Sequence, residues 1–283
     1  MEQSMDAEEH KQHVAAVFNL VSAAYDNEAM RFFPFCADRL VARLQLAPGQ
    51  KVLDVATGTG VVAVAAAQRV APAGRVTAID LAEEMLDQAQ RNLSKLGLTN
   101  VDLHVMDAEA LEFRASYFDA VMCSFGLFFL PDMPAALRHW QRVTKPGGRV
   151  MFTSFGPEAF QPMLDLFREQ IGHYGQVQPA ELRPYPVEHL KNADNCRLLL
   201  EQAGLVDVGV HSEQLGYHLK DANQWWDIIW NSGFRGLVSR LEPEAQARFR
   251  QAHLAEVERL AGADGIWLNV QTLFSGGRKP PAA

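Results

Sequence analysis

Lys51-Val-Leu-Asp-Val-Ala-Thr-Gly-Thr-Gly60 decides the fold. A short apolar run reads as a buried strand, and it breaks on two glycines separated by one residue. Glycine tolerates the left-handed backbone of a tight turn and has no side chain, so a ligand can approach the main chain closely. Where such a turn opens a helix, the unpaired N–H groups of the helix start face that ligand. A second strand, Arg75-Val-Thr-Ala-Ile-Asp80, ends in a carboxylate, placed to hold the two hydroxyls of a ribose. The pair of strands points to a ligand that contains a nucleoside.

Outward from this pair the chain alternates. Strands are expected over 51–56, 75–80, 101–106, 117–123 and 148–155, with helices over about 60–70, 82–97 and 134–144 between them. Alternation at this spacing builds right-handed crossovers and a parallel sheet. Runs such as Ala120-Val-Met-Cys123 and Arg149-Val-Met-Phe152 are apolar on both faces, as a sheet covered by helices on each side requires. Ahead of the first strand, residues from about 6 to 46 read as helical: Val14, Val17, Phe18 and Val21 recur at helical spacing, and a second stretch, Cys36–Leu46, stops at Pro48-Gly49. After Gly156 the alternation breaks. Two more strand-like runs, Val206–His211 and Trp267–Phe274, flank a helical insertion over about 221–262. The insertion and the segment 157–190 are expected to lie over the functional edge of the sheet. The expected fold class is α/β, a doubly wound, mostly parallel sheet of seven strands. Residues 1–48 form a helical cover, 49–156 the cofactor-binding core, and 157–283 the rest of the sheet with a helical lid.

Composition narrows the partners. With 283 residues, 48% of them hydrophobic, the chain can bury one large core. Lys and Arg number 26 against 34 Asp and Glu, a net charge of −8, which argues against nucleic acid, since affinity for a duplex rests on neutralising phosphates. The N-terminal run Met1-Glu-Gln-Ser-Met-Asp-Ala-Glu-Glu9 is acidic and is no secretory signal. The longest charge-free apolar run, Ala120–Leu130, falls short of the ~20 residues that span a bilayer, so no stable membrane insertion is expected. Cys36, Cys123 and Cys196 lie far apart with no metal-ligand spacing, which suits a cytoplasmic protein without disulfides or a metal site. A homodimer is left open.

The glycine turn by itself is shared between ligand classes. Gly58-Thr-Gly60-Val-Val-Ala63 also satisfies the fingerprint of dinucleotide-binding turns. Three features favour another ligand. Asp54 sits inside the first strand, where an anion opposes a pyrophosphate and suits a ligand carrying an ammonium and a sulfonium; it equally serves to hold the glycine loop by hydrogen bonds. Val105-Met-Asp107-Ala108 ends the third strand with an acceptor for an adenine amino group and a small neighbour that leaves room for the ring, or with a helix-capping Asp. A fourth strand, Phe118-Asp-Ala-Val-Met-Cys-Ser-Phe125, and the turn Thr144-Lys-Pro-Gly-Gly-Arg149 follow.

With these residues the chain resembles the class I S-adenosylmethionine-dependent methyltransferases over about 10–156. Within them it is most similar to the ubiquinone/menaquinone biosynthesis C-methyltransferase group: Val14-Ala-Ala-Val-Phe18 and Ala24-Tyr25-Asp26 match that group's opening helix, and Leu273-Phe-Ser-Gly-Gly-Arg-Lys-Pro280 resembles the closing strand of many related enzymes. The resemblance implies a Rossmann-like sheet and S-adenosylmethionine as cofactor. It implies that Asp54, Gly58 and Gly60 hold the methionine end, with Thr57 and Thr59 in the turn between them. Asp80 would bind the ribose, Leu81 and Met85 would pack the adenine face, and Asp107 and Ala108 would meet its edge. Ser124 and Phe125 would lie near the methyl group, with Phe18 and Tyr25 as a cover.

Methyl transfer from a sulfonium is an in-line displacement, in which alignment of donor and acceptor is worth ~7–11 kcal/mol. A base is needed only if the acceptor must lose a proton. His173, Tyr174, Tyr185, His189, His211, Tyr217 and His218 lie in the added segments, and His173 or Tyr174, after the fifth strand, is the candidate catalytic base. The insertion carries Trp225, Trp226, Ile228, Ile229, Trp230 and Phe234. Three tryptophans this close cannot share one helix face. Either that helix is buried on two sides, or it forms an aromatic substrate wall opposite Phe125, Phe128 and Phe129, extended by Phe32, Phe33 and Phe35. The insertion departs from the quinone-pathway pattern. The expected activity is methyl transfer to a hydrophobic, aromatic or quinone-like small molecule. The alternatives are an NAD-dependent oxidoreductase, for which the chain has no Tyr-x-x-x-Lys, and a non-catalytic S-adenosylmethionine-binding protein.

Overall fold

Strands β1 (Lys51–Val55), β2 (Arg75–Asp80), β3 (Val101–Val105), β4 (Phe118–Ser124) and β5 (Thr144–Phe155) pair in parallel, and β6 (Val206–Gln214) and β9 (Gln271–Arg278) extend their sheet. The computed structural model describes residues 7–174 and 187–282. The seven strands stand in the order β3-β2-β1-β4-β5-β9-β6, and β9 alone runs against its neighbours. The order reverses between β1 and β4, so a crevice opens at the carboxyl ends of those two strands, where open α/β sheets bind their ligands.

The central strands are buried because both faces are covered: four of the five residues of β1 and five of the seven of β4 are buried. The helices packed on the strands are α2 (Phe32–Leu44), α3 (Val61–Val70), α4 (Glu83–Lys95), α5 (Met133–Val143), α7 (Val187–Leu190) and α8 (Ala193–Gln202), while α1 (Ala7–Val21) packs on α4 and α6 (Met163–Tyr174) follows β5. In α4 the buried residues Met85, Leu86, Ala89 and Leu93 form one stripe, the pattern of a helix laid on a sheet. The Asp132 side chain accepts from Ala135 N at 2.8 Å to cap α5, a contribution of ~1 kcal/mol. Gly60, at φ +86°, turns the chain so that α3 starts at Val61.

Two expectations change. The run read as one strand over 267–274 is two: β8 (Ile266–Leu268) pairs with β7 (Tyr217–Leu219) in a separate ribbon, and β9 begins at Gln271. Apolar alternation runs through both, and the break is made by Asn269, whose Oδ1 accepts from Gln271 N and from Gln214 Nε2. The fifth strand also starts earlier than 148. Thr144 already pairs with Phe118, and the register then shifts so that Arg149 meets Ala120, which absorbs Pro146-Gly147-Gly148 in the irregular stretch. The insertion is helical, as α9 (Ala222–Trp230), α10 (Arg235–Val238) and α11 (Pro243–Glu258), and α11 packs on both α6 and α9.

Candidate active site

The glycine turn is tied to the end of β2. Thr57 N donates to Ile79 O, and the Asp80 carboxylate bridges outward, Oδ2 accepting from Gly58 N at 2.8 Å and Oδ1 from Ala82 N at 2.9 Å. Gly58 has φ +56°, with nothing within 4 Å of the position a Cβ would take. The turn therefore leaves space beside its backbone. Asp54 is buried; its Oδ2 accepts from Thr57 Oγ1 at 2.6 Å, while its Oδ1 is buried without a partner. Burial, with the charge of Asp80 adding to it, pushes the Asp54 carboxyl up to about 7. Asp80 is raised as well, again by burial, against its hydrogen bonds from Ala82 and Gly58. Both readings of Asp54 thus have a geometric basis, one oxygen each. A buried carboxylate oxygen without a donor, beside a second carboxylate, is a site for a cation.

Helix α1 lies across the ends of β2 and β3. Val21 packs with Ala82 and Met85, and Phe18 and Tyr25 pack against them. Leu81 is 39% exposed. Lys11 donates to Asp107 Oδ2 and pairs with Glu109 Oε2, both at 2.7 Å, while Asp107 Oδ1 accepts from Glu109 N at 2.8 Å. No helix begins directly after Asp107, so its side chain closes a turn rather than capping a helix, and it is tied to the cover through Lys11. Ala108 is buried, and its carbonyl accepts from the indole of Trp140 at 3.0 Å. Asp26 fastens the cover to the turn: Thr59 Oγ1 donates to one of its oxygens at 2.5 Å and Asn92 to the other at 2.7 Å. Neither Trp140 nor Asp26 stands out in the sequence as a site residue, because each acts through a distant partner.

Two cavities meet here. A cleft of about 570 Å³ runs along the glycine turn and is lined by Ala56–Thr59, Asp26, Ser124 and Asn92. A second cavity of about 140 Å³ is walled by phenylalanines, among them Phe18, Phe125, Phe128, Phe155 and Phe160. Tyr25 and Phe33 line both. Phe125 stacks on Phe155 with centroids 4.3 Å apart. Thr153 Oγ1 accepts from Phe125 N at 3.1 Å and lies 3.2 Å from Ser124 Oγ, with Cys36 Sγ 3.6 Å from both hydroxyls. Ala56 and Phe125, at the ends of β1 and β4, have φ +53° and +52°, strained backbone of the kind that gathers at functional sites. Gly126 lets the two ends approach, since a Cβ there would lie 2.7 Å from Ala56 Cβ and 2.8 Å from Cys123 Sγ.

Other sequence candidates go elsewhere. His173 is exposed at the end of α6, and Tyr174 packs on Phe249 with ring centroids 5.8 Å apart; neither lines the cleft or the cavity. His189 and His211 are exposed, His218 lies against Trp267, and the Tyr217 hydroxyl donates to Ala29 O at 2.6 Å. Tyr185 lies outside the described residues. Phe32 and Phe33 join the aromatic cavity, whereas Phe35 turns outward against Tyr217. The tryptophans do not form the substrate wall. The Trp225 indole donates to His253 Nε2 at 2.8 Å, and Trp226 packs on Trp230 and Phe249 inside the lid. From the insertion, Ile228 and Phe234 face the cavity.

The family model described as ubiE/COQ5 methyltransferase matches residues 4–218. The chain belongs to the ubiE/COQ5 methyltransferase family. It is 36% identical over 169 residues to aklanonic acid methyltransferase DauC of Streptomyces sp. (strain C5), spanning 56% of this chain and 77% of that one. It is 34% identical over 215 residues to the ubiquinone/menaquinone biosynthesis C-methyltransferase UbiE of Burkholderia cenocepacia (strain HI2424), spanning 72% and 88%. Among solved structures, the YcgJ protein from Bacillus subtilis aligns with a TM-score of 0.58 at 18% identity over 87% of this chain and 98% of its own, a likeness of fold. This member of the ubiE/COQ5 family is an S-adenosylmethionine-dependent methyltransferase of small molecules, which retires the nicotinamide-dependent and non-catalytic alternatives. The family match runs past residue 156 and ends at His218, just before the helical insertion.

Proposed function

We propose that the methyl acceptor is an aromatic small molecule seated in the phenylalanine-walled cavity, and that it meets the methyl group where cavity and cleft share Tyr25 and Phe33. That shared boundary is the observation that carries the reading. S-adenosylmethionine, when bound, supplies a methyl group on a positively charged sulfur. The residues at the turn fit it: Asp54, buried behind the cleft lining, has an unpartnered Oδ1 that suits the ammonium of the methionine end once the turn admits it, and the open side of Gly58 leaves room beside the turn that includes Thr57 and Gly60. Asp80, at the end of β2, retains lone pairs for the ribose hydroxyls. Leu81, Met85, Asp107 and Ala108 are assigned to the adenine, an assignment that requires α1 to move and Lys11 to yield Asp107. Ser124 and Phe125 stand at the strand end beside the junction, and Phe18 and Tyr25 close over it.

Among the described residues no histidine lines either cavity. The Tyr25 phenol is held protonated by burial and by the charges of Asp80 and Asp26, so it serves as a hydrogen-bond donor. The chemistry left to the chain is in-line alignment and exclusion of water, acting on an acceptor that arrives already activated. Calorimetric titration with S-adenosylhomocysteine tests the cofactor half: binding to the native protein that weakens about tenfold or more in Asp80→Asn supports it. Transfer of labelled methyl from S-adenosylmethionine to a panel of phenols and aromatic acids tests the acceptor half. Binding without transfer to any aromatic acceptor would remove the aromatic assignment.

A further inference from the structure

One end of the phenylalanine-walled cavity is ionic. Arg168 of α6 and Lys191, just beyond α7, reach its lining and donate to the same oxygen of Glu188, Arg168 Nη2 at 2.9 Å and Lys191 Nζ at 3.1 Å. Two cations therefore share one carboxylate oxygen. A second carboxylate, Asp165, stands 3.9 Å from Arg168 Nη1, but its side chain is 70% exposed and does not line the cavity. Neither cation is fully satisfied among the described residues. Arg168 Nε is buried without a partner. Lys191, whose side chain is 11% exposed, makes one hydrogen bond where an ammonium offers three. Buried donors left unused next to desolvated charge cost free energy until an acceptor meets them. The rest of the wall, Phe155, Phe160, Leu164 and Phe234 included, is apolar, and a neutral hydrocarbon would leave that cost standing.

We infer that the acceptor is an aromatic carboxylate, whose acid group sits on Arg168 and Lys191 at the end of the cavity built by α6 and α7. Glu188, with 40% of its side chain exposed, has a path to solvent as the ligand takes its place. The inference rests on the reading of this cavity as the acceptor pocket. If the ion cluster only pins α7 to α6, the charge of a ligand is irrelevant to its binding.

The test uses the full chain saturated with S-adenosylhomocysteine and two probes of one shape, 2-naphthoate and 2-naphthamide, titrated by calorimetry at neutral pH. The native protein is expected to bind the acid about tenfold or more tightly than the amide, the scale of charge-assisted hydrogen bonds. Lys191→Met and Arg168→Met are expected to bring that preference towards unity while S-adenosylhomocysteine binds as before. Equal affinity of acid and amide for the native protein would overturn the carboxylate site and leave the aromatic pocket standing. Failure of both probes to bind would overturn the pocket and the carboxylate site together. A preference that survives both substitutions would also overturn the assignment to these residues. The native comparison decides by itself if either variant fails to fold.

Discussion

Asp54 gives one oxygen to Thr57 and keeps the other buried without a partner; we propose that the second oxygen takes the ligand's cation, and pH separates the two roles. Its carboxyl titrates near 7 when folded, against an ordinary value of 3.8, chiefly because of burial. As pH rises between these values, the unfolded chain gives up this proton and the folded chain keeps it. Its contribution to stability is therefore full below 3.8 and is lost as pH rises to about 7. A cation seated at Oδ1 favours the ionised form, so affinity for S-adenosylhomocysteine should rise with pH up to about 7, by as much as about tenfold per unit. Asp54→Asn keeps an acceptor for Thr57 and carries no charge. We predict that above pH 7 this variant melts higher than the native protein without ligand, binds S-adenosylhomocysteine more weakly, and shows a flat affinity profile. A profile that keeps its slope in the variant would place the titrating group elsewhere.

At the scale of elements, the lid depends on a buried polar chain that joins three helices. His253 of α11 accepts from the Trp225 indole of α9 through Nε2, which leaves Nδ1 protonated to donate to Gln170 Oε1 of α6 at 2.7 Å. The ring is fully buried, and burial lowers its titration to about 4 from an ordinary 6.5. Neutral His253 therefore contributes stability that is present above 6.5 and is lost as pH falls through about 4. His253→Phe keeps the ring packing with Phe167 and Phe249 but strands the indole N–H and the Gln170 carbonyl. Each stranded group costs about 1–3 kcal/mol. Denaturant unfolding should show a loss on the order of 2–6 kcal/mol and a weaker decline on acidification. An unchanged midpoint would mean that the three helices are held by apolar packing alone.

At the scale of the whole molecule, α1 and the α9–α11 segment meet at the aromatic cavity: Phe18 of α1 lines it with Ile228 and Leu237, and Gly236 of α10 lies beside Val17. The aromatic cavity of about 140 Å³ is smaller than the ~300–1,000 Å³ usual for ligand pockets, so we predict that a wall moves when an acceptor enters. The walls predicted to move are α1, with its Lys11–Asp107 tie, and the α9–α11 lid. Amide exchange should slow in both when S-adenosylhomocysteine and 2-naphthoate bind together, and the central strands should change little. Exchange unaltered in α9–α11 would mean that the lid is not part of the acceptor site.

Reading the chain as a string already yields the crevice, because its signals are local. The run from Lys51 to Gly60, the carboxylates Asp54 and Asp80, and strands apolar on both faces all lie in adjacent residues whose backbone preferences need no distant partner. The mostly parallel sheet and a nucleoside-containing ligand follow from them, and the cofactor class follows from the family resemblance these residues carry with others. The same local signals misjudge what long-range packing settles. Apolar alternation continues through Asn269, so β8 and β9 read as one strand. Trp225 and Trp226 have the composition of a substrate wall, yet they turn into the lid because His253 and Phe249 of α11 lie behind them. His173 and Tyr174 follow the fifth strand in sequence and line neither cavity. The charged end formed by Arg168, Glu188 and Lys191, and the boundary at Tyr25 and Phe33, exist only where separate helices converge. Strand and turn identity is set by neighbouring residues, whereas the chemistry facing a ligand is set by which helix surfaces meet, and only the tertiary structure decides that.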